Sequence, residues 1–460
     1  MKNIITEIAT NYINDILNFF STNDIPNLAH IEQELLPKAK KFICTLTSFY
    51  YEEVNTNLVE DKSGRREEGY SIERHNDIRK VLTTMGEVEF KRTYFSYRDG
   101  GHVYLVDIAA GLESHVRLSE ELSEALAGAA CKMSFAKSSI YVADGAVSRQ
   151  SVMNQVRQCQ AASPARASEK RKVAVLHIDA DEDHVTLRGG KNTIVPLISV
   201  YEGIERKGKR GICTKVFHIS EYGKKTEDLW MQVLDEVMAR YDLDGTKVYI
   251  HGDGAKWIQQ GLEWFPGAIF VLDKYHKNKA VTAMTAGLEI ETRKIFNKEI
   301  RFALYSNDSR YFTELTQSLI SQKPDRKDII IEATNYLLTN IKAIHICAID
   351  PEANNGGCAE PHVSHILSSR FSTRPMAWSK KTLKQLAPML ANNGVVERRK
   401  KLNAIEGRLL RKATRAARRK FKGFHFAPAP NAIGTLQPLN SGKVTQLSRT
   451  LRSIAQKTVI

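Results

Sequence analysis

Two patterns of hydrophobic spacing follow one another along the first part of the chain, and each predicts a different kind of secondary structure. In residues 1–78 the apolar side chains recur three or four positions apart, which predicts a helical N-terminal region. In residues 79–116 they alternate with polar side chains, and the Asp99-Gly100-Gly101 turn separates two such runs. This second region is predicted to be a β-hairpin.

Helical spacing returns in residues 117–160 and predicts two helices joined by a turn. The turn is expected at Asp144-Gly145, and Ser148 has the side chain of a helix N-cap. In a DNA-binding helix-turn-helix, the second helix would present its polar face to the major groove. That face carries Arg149, Gln150, Asn154 and Arg157. An ordinary helical hairpin with a solvated polar face fits the same pattern equally well.

The order of elements in residues 173–273 predicts an α/β fold. We expect three strands at 173–187, 193–201 and 212–219, a helix at 225–241, a strand at 248–250, a short helix at 255–262 and a strand at 268–272. The inward residues of the long helix are expected to be Leu229, Val233, Val237 and Met238. The succession βββαβαβ is that of an RNase H-like core.

The remaining segments are predicted to interrupt and complete this core. Residues 274–345 have helical spacing throughout and predict an all-helical insertion. A strand is expected at 344–349, so that residues 346–392 would form the second part of the core, with a short helix after Glu360. Residues 393–460 are a basic C-terminal tail.

The charge of the chain favours a polyanionic partner. Sixty-seven Lys and Arg against fifty-two Asp and Glu give a net charge of +15, which suits nucleic acid better than an anionic membrane surface. Twelve of these basic residues lie between positions 398 and 422, where a helix would have a wide cationic face. The predicted phosphate contacts there are Arg411, Lys412, Arg415, Arg418, Arg419 and Lys420. The alternative is a solvated or disordered tail.

Targeting signals and cysteine motifs are not found in the sequence. No run approaches the roughly 18 apolar residues of a membrane helix, and no secretory leader is recognisable. We therefore expect a cytoplasmic protein associated with the nucleoid and not with a membrane. The six cysteines lack C-x-x-C spacing, so reduced thiols are expected in preference to disulfides or a zinc ribbon.

The first strand of the predicted core carries a cluster of carboxylates. Asp179, Asp181 and Asp183 are two positions apart and therefore share one face of the strand. Like charges at this density are tolerated where solvent reaches them or where they hold a divalent cation. A solvated or capping carboxylate is the commoner role of any one such residue.

Two later acids complete a possible metal site. Asp253 follows the fourth strand in a turn between two glycines, and that strand neighbours the first in an RNase H-like sheet. Glu360 precedes Pro361, whose fixed φ suits the first turn of a helix. Carboxylates at these positions could hold two Mg²⁺ ions about 3.5 to 4 Å apart for phosphodiester chemistry, and Mn²⁺ is expected to substitute.

The chain resembles insertion-sequence transposases of the Lre type, a family also described simply as one of unknown function. That family is similar to the Mutator-like DDE transposases. The motifs that carry the resemblance lie at residues 176–185, 252–258, 272–276, 359–365 and 372–378. The resemblance extends over nearly the whole chain.

The resemblance implies roles for particular residues. It implies that Asp181, Asp253 and Glu360 are the catalytic acids and metal ligands, with Asp179 as the substitute for the first. Asp273 and His276 match a family pattern of Asp or Cys followed by His three residues later, which would support the site. A packed or surface histidine is the alternative for His276. Pro361 departs from the family, where glycine is expected.

The resemblance also implies a function. A DDE-type transposase would bind the terminal repeats of its element, cleave DNA with Mg²⁺ and join the cut strand to a target. Its partners would be double-stranded element ends and target DNA, and it would work as a dimer or higher multimer. The alternatives are another RNase H-fold nuclease such as a junction resolvase, and a non-catalytic DNA-binding regulator derived from a transposase.

Overall fold

The computed structural model describes residues 2–22, 26–98, 100–163, 169–208, 210–398, 412–413 and 416. The chain has mixed α/β structure with several small sheets. It forms two compact units, one of Met1–Leu122 with Lys400–Ile460 and one of Ser123–Arg399. None of the described helices combines the length and the apolar character that crossing a membrane requires.

The first unit packs helices on a small antiparallel sheet. Its elements are α1 (Lys2–Thr22), α2 (Leu28–Glu60), α3 (Lys62–Glu68), β1 (Tyr70–Thr83), β2 (Gly86–Tyr97), β3 (His102–Val103) and α4 (Leu105–Ala109). The sheet order is β1-β2-β3. Val54 and Leu58 of α2 share a core with Phe90 and Phe95 of β2. Buried positions alternate along each half of β2, and the phase of this alternation changes between Phe90 and Thr93.

The prediction that residues 1–78 are helical is wrong at its end. Gly69 adopts φ +84°, which favours glycine and ends α3, and β1 begins at the next residue. The alternation of β1 is hidden in the sequence because its register shifts twice, between Ile72 and Arg74 and between Arg74 and Asp77. The hairpin predicted around Gly100 and Gly101 is the pairing of β2 with β3, and Asp99 lies outside the described residues.

The second unit contains the other elements, except for the first three residues of α5. Its helices are α5 (Glu120–Lys132), α6 (Phe135–Ala143), α7 (Arg149–Gln158), α8 (Thr226–Arg240), α9 (Lys256–Gln259), α10 (Lys274–Thr285), α11 (Ile290–Tyr305), α12 (Ser309–Gln322), α13 (Lys327–Thr339), α14 (Ile341–Ile349), α15 (Ala359–Val363), α16 (Ser369–Phe371) and α17 (Lys380–Ala391). Its strands are β4 (Cys159–Ala161), β5 (Arg171–Lys172), β6 (Val175–Thr186), β7 (Asn192–Tyr201), β8 (Gly203–Lys207), β9 (Arg210–Thr214), β10 (Phe217–Ile219), β11 (Tyr241–Asp242), β12 (Lys247–Gly252), β13 (Ile269–Leu272) and β14 (Val396–Arg398). One turn of π-helix, Ser364–Ser368, joins α15 to α16.

A five-stranded sheet forms the centre of this unit, in the order β10-β7-β6-β12-β13. β10, β7 and β6 pair antiparallel, whereas β6, β12 and β13 pair parallel. Leu176 and Ile178 of β6 share a core with Trp230 and Val233 of α8, which covers one face. The strands predicted at 173–187, 193–201, 248–250 and 268–272 are confirmed as β6, β7, β12 and β13.

Two predictions within this region are wrong in part. The strand predicted at 212–219 is divided by Lys215, which has φ +52°, so that β9 pairs with β8 and only β10 joins the central sheet. In α8, Met238 is 48% exposed, and the fully buried Trp230 faces inward in its place. Trp230 lies three and seven residues before Val233 and Val237, on the same helix face.

The helical insertion extends further than predicted. α10 to α14 form an all-helical region with its own core, which includes Phe296, Ile300 and Phe312. The strand predicted at 344–349 is wrong, because these residues belong to α14. A short apolar run does not distinguish a strand from a buried helix. Here the buried residues Ile341, Ile344 and Cys347 recur every three positions, which is helical spacing.

Candidate functional site

Three side chains from distant parts of the sequence meet beside the central sheet. They are Asp181 on β6, His276 on α10 and Glu360 on α15. One potential ligand atom of each lies within 4.8 Å of the others. Two carboxylates and an imidazole at this spacing are a donor set suited to a divalent cation.

His276 is held in place by the start of its helix. Asp273 is the N-cap of α10, where Oδ1 accepts hydrogen bonds from the backbone N–H groups of Tyr275 (2.7 Å) and His276 (3.4 Å). The imidazole Nε2 lies 4.0 Å from Asp181 Oδ2. This nitrogen is buried and has no hydrogen-bond partner among the residues that the structure describes. A buried nitrogen without a partner beside two carboxylates fits a metal ligand.

The charges around His276 favour its protonated form when no cation is bound. Its pKa is raised, mainly by its interaction with Asp181 and further by Asp273 and Asp253. Because a metal ligand must be neutral, cation binding would displace a proton from this ring. The three acids that raise this pKa were all singled out in the sequence.

Glu360 enters the site from the first turn of α15. Cys358 is the N-cap residue and Pro361 follows within that turn, as its fixed φ predicts. Burial raises the pKa of Glu360, and the nearby charge of Asp181 adds to that effect. The two carboxylates therefore repel each other, and a bound cation would remove this penalty.

Asp253 lies beside the group of three without belonging to it. β12 pairs parallel with β6 with His251 opposite Asp179, so Asp253 and Asp181 occur at equivalent positions two residues further on. Neighbouring strands are about 4.8 Å apart. Asp253 Oδ1 accepts a hydrogen bond from the N–H of Ala255 (2.8 Å), and the charge of Asp253 is among those that raise the pKa of His276.

Asp179 has different partners from Asp181. Its carboxylate accepts hydrogen bonds from the Tyr201 hydroxyl, at 3.0 Å to each oxygen, and from the N–H of Cys358 at 2.6 Å. Burial raises its pKa to about 8. Asp179 was predicted as a substitute metal ligand, but it is not one of the three residues whose ligand atoms converge.

The predicted DNA-binding residues of α7 lie on one helix, as expected. Ser148 Oγ accepts a hydrogen bond from the N–H of Ser151 at 3.1 Å and caps α7, and the chain reverses before it at Asp144 and Gly145, both with positive φ. The residues of the polar face are Arg149, Gln150 and Asn154, which are exposed, and Arg157, which is half-buried.

Of the predicted phosphate contacts in the basic tail, Lys412 lies among the described residues. Lys412 is exposed and pairs with Asp61, with Nζ 2.8 Å from Oδ2. The other predicted phosphate contacts, Arg411, Arg415, Arg418, Arg419 and Lys420, lie outside the described residues.

A layer of buried polar rings behind the acids was not predicted. His177 and His251 are each 1% exposed, and Nδ1 of the first lies 3.0 Å from Nε2 of the second. Tyr201 and Tyr249 stack on His177 with ring centroids 5.4 Å away. A sequence signal existed, because each histidine precedes an acid of interest by two residues and so shares its face.

His218 of β10 is expected to make the stability of its unit depend on pH, and a substitution separates its contribution from those of other groups. Burial, with help from the charge of His362, lowers the pKa of His218 to about 3, while its Nδ1 lies 2.8 Å from Ser199 Oγ. The folded state keeps this ring neutral, whereas the unfolded chain takes up a proton below about pH 6.5, so its contribution is lost as the pH falls. We expect the stability difference between the wild type and His218→Gln to shrink by about 1 kcal/mol from pH 7.5 to 5.5.

Urea unfolding of both proteins at the two pH values measures this difference. The comparison cancels the opposite pH dependence of Asp179, which both proteins contain. His184→Gln, in an exposed position of the same sheet, is the control and should behave as the wild type does at both pH values. An unchanged difference for His218→Gln would show that the folded protein admits a proton at this position.

Comparison with known proteins places the chain in a family. The Uncharacterised protein family (UPF0236) matches residues 21–404. Two similar relatives are UPF0236 proteins of Caldanaerobacter subterraneus subsp. tengcongensis, one 34% identical over all of this chain and 99% of its own length, the other 32% identical over all of both chains. The name of the first relative joins eleven locus designations of that organism. The chain belongs to the UPF0236 family.

Proposed function

We propose that this protein is a metal-dependent DNA transposase with an RNase H-like core. The observation that carries the proposal is the convergence of Asp181, His276 and Glu360, whose ligand atoms lie within 4.8 Å of one another. Acids 179 residues apart in sequence meet here on a framework of buried strands and capped helices. Two carboxylates and one imidazole are ligands suited to a divalent cation.

The sheet supports the RNase H-like interpretation. Three antiparallel strands followed by two parallel ones, in the order β10-β7-β6-β12-β13, agree with the succession βββαβαβ. In this arrangement the central strand β6 provides the first acid and its parallel neighbour β12 is followed by Asp253. The helical region α10–α14 then separates Asp253 from Glu360, as the resemblance to DDE transposases implies.

The chemistry that these residues can support is phosphodiester cleavage and transfer. Bound Mg²⁺ or Mn²⁺ would activate the attacking oxygen and stabilise the departing one. Asp181, Glu360 and His276 would hold one cation, and Asp181 and Asp253 would share a second. Water first attacks the element end and releases a 3′-hydroxyl; that hydroxyl then attacks a phosphodiester of the target. Each step forms one P–O bond and breaks one, so no covalent protein intermediate is needed.

Two further observations favour DNA as the substrate. The net charge of +15 suits a polyanion, and α7 presents Arg149, Gln150 and Asn154 to solvent after a capped turn. The eleven locus designations carried by one relative are consistent with a DNA segment that multiplies within a genome.

A strand-transfer assay tests the proposal. Labelled duplexes from the two ends of the DNA that carries the gene are incubated with the protein, a target plasmid and Mg²⁺ or EDTA. We expect Mg²⁺-dependent cleavage at the element ends and covalent joining to the plasmid. Glu360→Gln should lose both reactions, whereas Glu332→Gln, in an exposed position of α13, should keep both.

The products distinguish the alternatives. Cleavage of branched DNA without joining would favour a junction resolvase. Binding to the duplexes without any cleavage in Mg²⁺ or Mn²⁺ would contradict the enzyme and favour a DNA-binding regulator.

A further inference from the structure

The three aspartates on one face of β6 have three different surroundings. Asp179, Asp181 and Asp183 are 1%, 7% and 6% exposed, so each carboxylate has lost most of its water. Burial of several like charges on one face is unfavourable unless each finds its own partners. The middle one, Asp181, faces His276 and Glu360. The partners of the outer two therefore decide what those two do.

Asp179 holds the chain immediately before Glu360. Its Oδ2 accepts a hydrogen bond from the N–H of Cys358 at 2.6 Å, and Oδ1 accepts one from the N–H of Gly357 at 3.3 Å. The Tyr201 hydroxyl donates a hydrogen bond to Asp179 and accepts one from the N–H of Gly357 at 3.1 Å. These contacts fix the two residues that lead into α15.

Asp183 holds the chain after Glu360. Its Oδ1 accepts hydrogen bonds from Ser368 Oγ and Ser372 Oγ, each at 2.9 Å, and Oδ2 lies 3.1 Å from Ser372 Oγ. Ser368 is the last residue of the π-helical turn that follows α15, and Ser372 is the residue immediately after α16. The segment that contains Glu360 is thus attached to β6 on both sides of Asp181.

The lengths of strand and helix agree with this double attachment. Four residues of strand separate Asp179 from Asp183, about 13 Å at roughly 3.3 Å per residue. Ten residues of helix separate Cys358 from Ser368, about 15 Å at roughly 1.5 Å per residue. The helical segment therefore lies along β6, and its first turn, with Glu360, is brought beside the middle aspartate.

Resting on the proposed function, we propose that Asp179 and Asp183 are positioning residues that fix the Glu360 helix on β6, and that neither is a metal ligand. We call these two aspartates and their partners in residues 357–372 the β6 clamp. The clamp explains why three carboxylates occur two positions apart, although only the middle one, Asp181, has a ligand atom close to those of His276 and Glu360. It also assigns a use to Ser368 and Ser372, which do not belong to this group of three.

The serine partners give the sharpest test, because replacing them leaves the Asp183 carboxylate in place. Mn²⁺ is the probe. Its affinity for the protein is measured by titration, and the rate of DNA cleavage is measured at saturating Mn²⁺. We expect Ser368→Ala/Ser372→Ala to weaken Mn²⁺ binding and slow cleavage about 10- to 100-fold, the usual effect of losing a partner that orients a ligand. Ser368→Thr/Ser372→Thr keeps both hydroxyls and should restore both values. Ser364→Ala, in an exposed position of the same segment, is the control.

Hydrogen–deuterium exchange tests the clamp independently of nuclease activity. Asp183→Asn and the double alanine variant should each speed exchange in peptides covering residues 364–372, while peptides of β7 stay unchanged. Asp179→Asn should do the same for residues 357–363. If the wild type fails to cleave DNA but these exchange changes appear, the proposed function is wrong and the clamp stands as a structural contact.

Two results would overturn the clamp. One is a double alanine variant that matches Ser364→Ala in exchange, Mn²⁺ affinity and rate. The other is a complete loss of Mn²⁺ binding in Asp179→Asn or Asp183→Asn with unchanged exchange, which would make that aspartate a ligand. A variant that fails to fold is replaced in the comparison by Tyr201→Phe, which removes one hydroxyl of the clamp and leaves both aspartates.

Discussion

Asp181→Asn should lower the rate of Mg²⁺-dependent DNA cleavage by about 10³-fold, equivalent to about 4 kcal/mol of transition-state stabilisation. Asp181 Oδ2 lies 4.0 Å from His276 Nε2, and a potential ligand atom of Asp181 lies within 4.8 Å of one from Glu360. The amide that replaces its carboxylate has no negative charge with which to hold a cation. Folding should be little affected or slightly improved, because one of several crowded buried charges is removed.

The measurement is the initial rate of cleavage in Mg²⁺ and in Mn²⁺, together with the melting temperature and the affinity for DNA. Asp235→Asn makes the same chemical change in an exposed position of α8 and should match the wild type in all of these. Loss of cleavage with unchanged melting and DNA binding is the expected pattern. A rate within tenfold of the wild type would place the catalytic metal elsewhere.

Local patterns were sufficient to predict much of the fold. β6, β7, β12 and β13 were recognised because their apolar runs are bounded by turn residues, and α8 because its buried stripe has helical spacing. The failures have a common cause in tertiary context. α14 is apolar at enough positions to resemble a strand, and in the fold it packs on both α11 and β13. The break at Lys215 depends on a left-handed conformation that the sequence does not announce.

The acids of the site were more predictable than the residues that hold them. A period of two marked Asp179, Asp181 and Asp183 together, and a helix start marked Glu360. The resemblance to the Lre-type transposases then singled out Asp181 among the three aspartates. The hydroxyl of Tyr201 reaches Asp179 only because β7 pairs antiparallel with β6, with Tyr201 opposite His177. Ser368 and Ser372 reach Asp183 across 185 and 189 residues of sequence. Contacts set by strand register and helix docking are not visible in a local pattern.

Gly356→Ala should destabilise the folded protein more than the same substitution at any other glycine near the site. A Cβ at this position would lie 2.1 Å from His251 Nε2 and 2.8 Å from His177 Nδ1. Gly356 has φ −123° and ψ −170°, which any residue adopts, so the whole cost is steric. The two rings cannot move away, because both are 1% exposed and His177 is stacked between two tyrosines. We expect the free energy of unfolding to fall by about 3 kcal/mol, which is the upper end of the usual cost of overpacking.

Urea unfolding of the variant, with the slope against denaturant checked for a two-state transition, measures this loss. Gly203→Ala is the control, since a Cβ on this glycine of β8 meets nothing within 4 Å, and its stability should stay within about 0.5 kcal/mol of the wild type. The added methyl group also pushes Gly357 and Cys358 away from Asp179, so cleavage should fall even at temperatures where the variant remains folded. If the two alanine variants were equally stable, the rings of His177 and His251 would be able to rearrange around the added methyl group. The missing side chain of Gly356 would then not be what lets the chain before Glu360 lie close to β6.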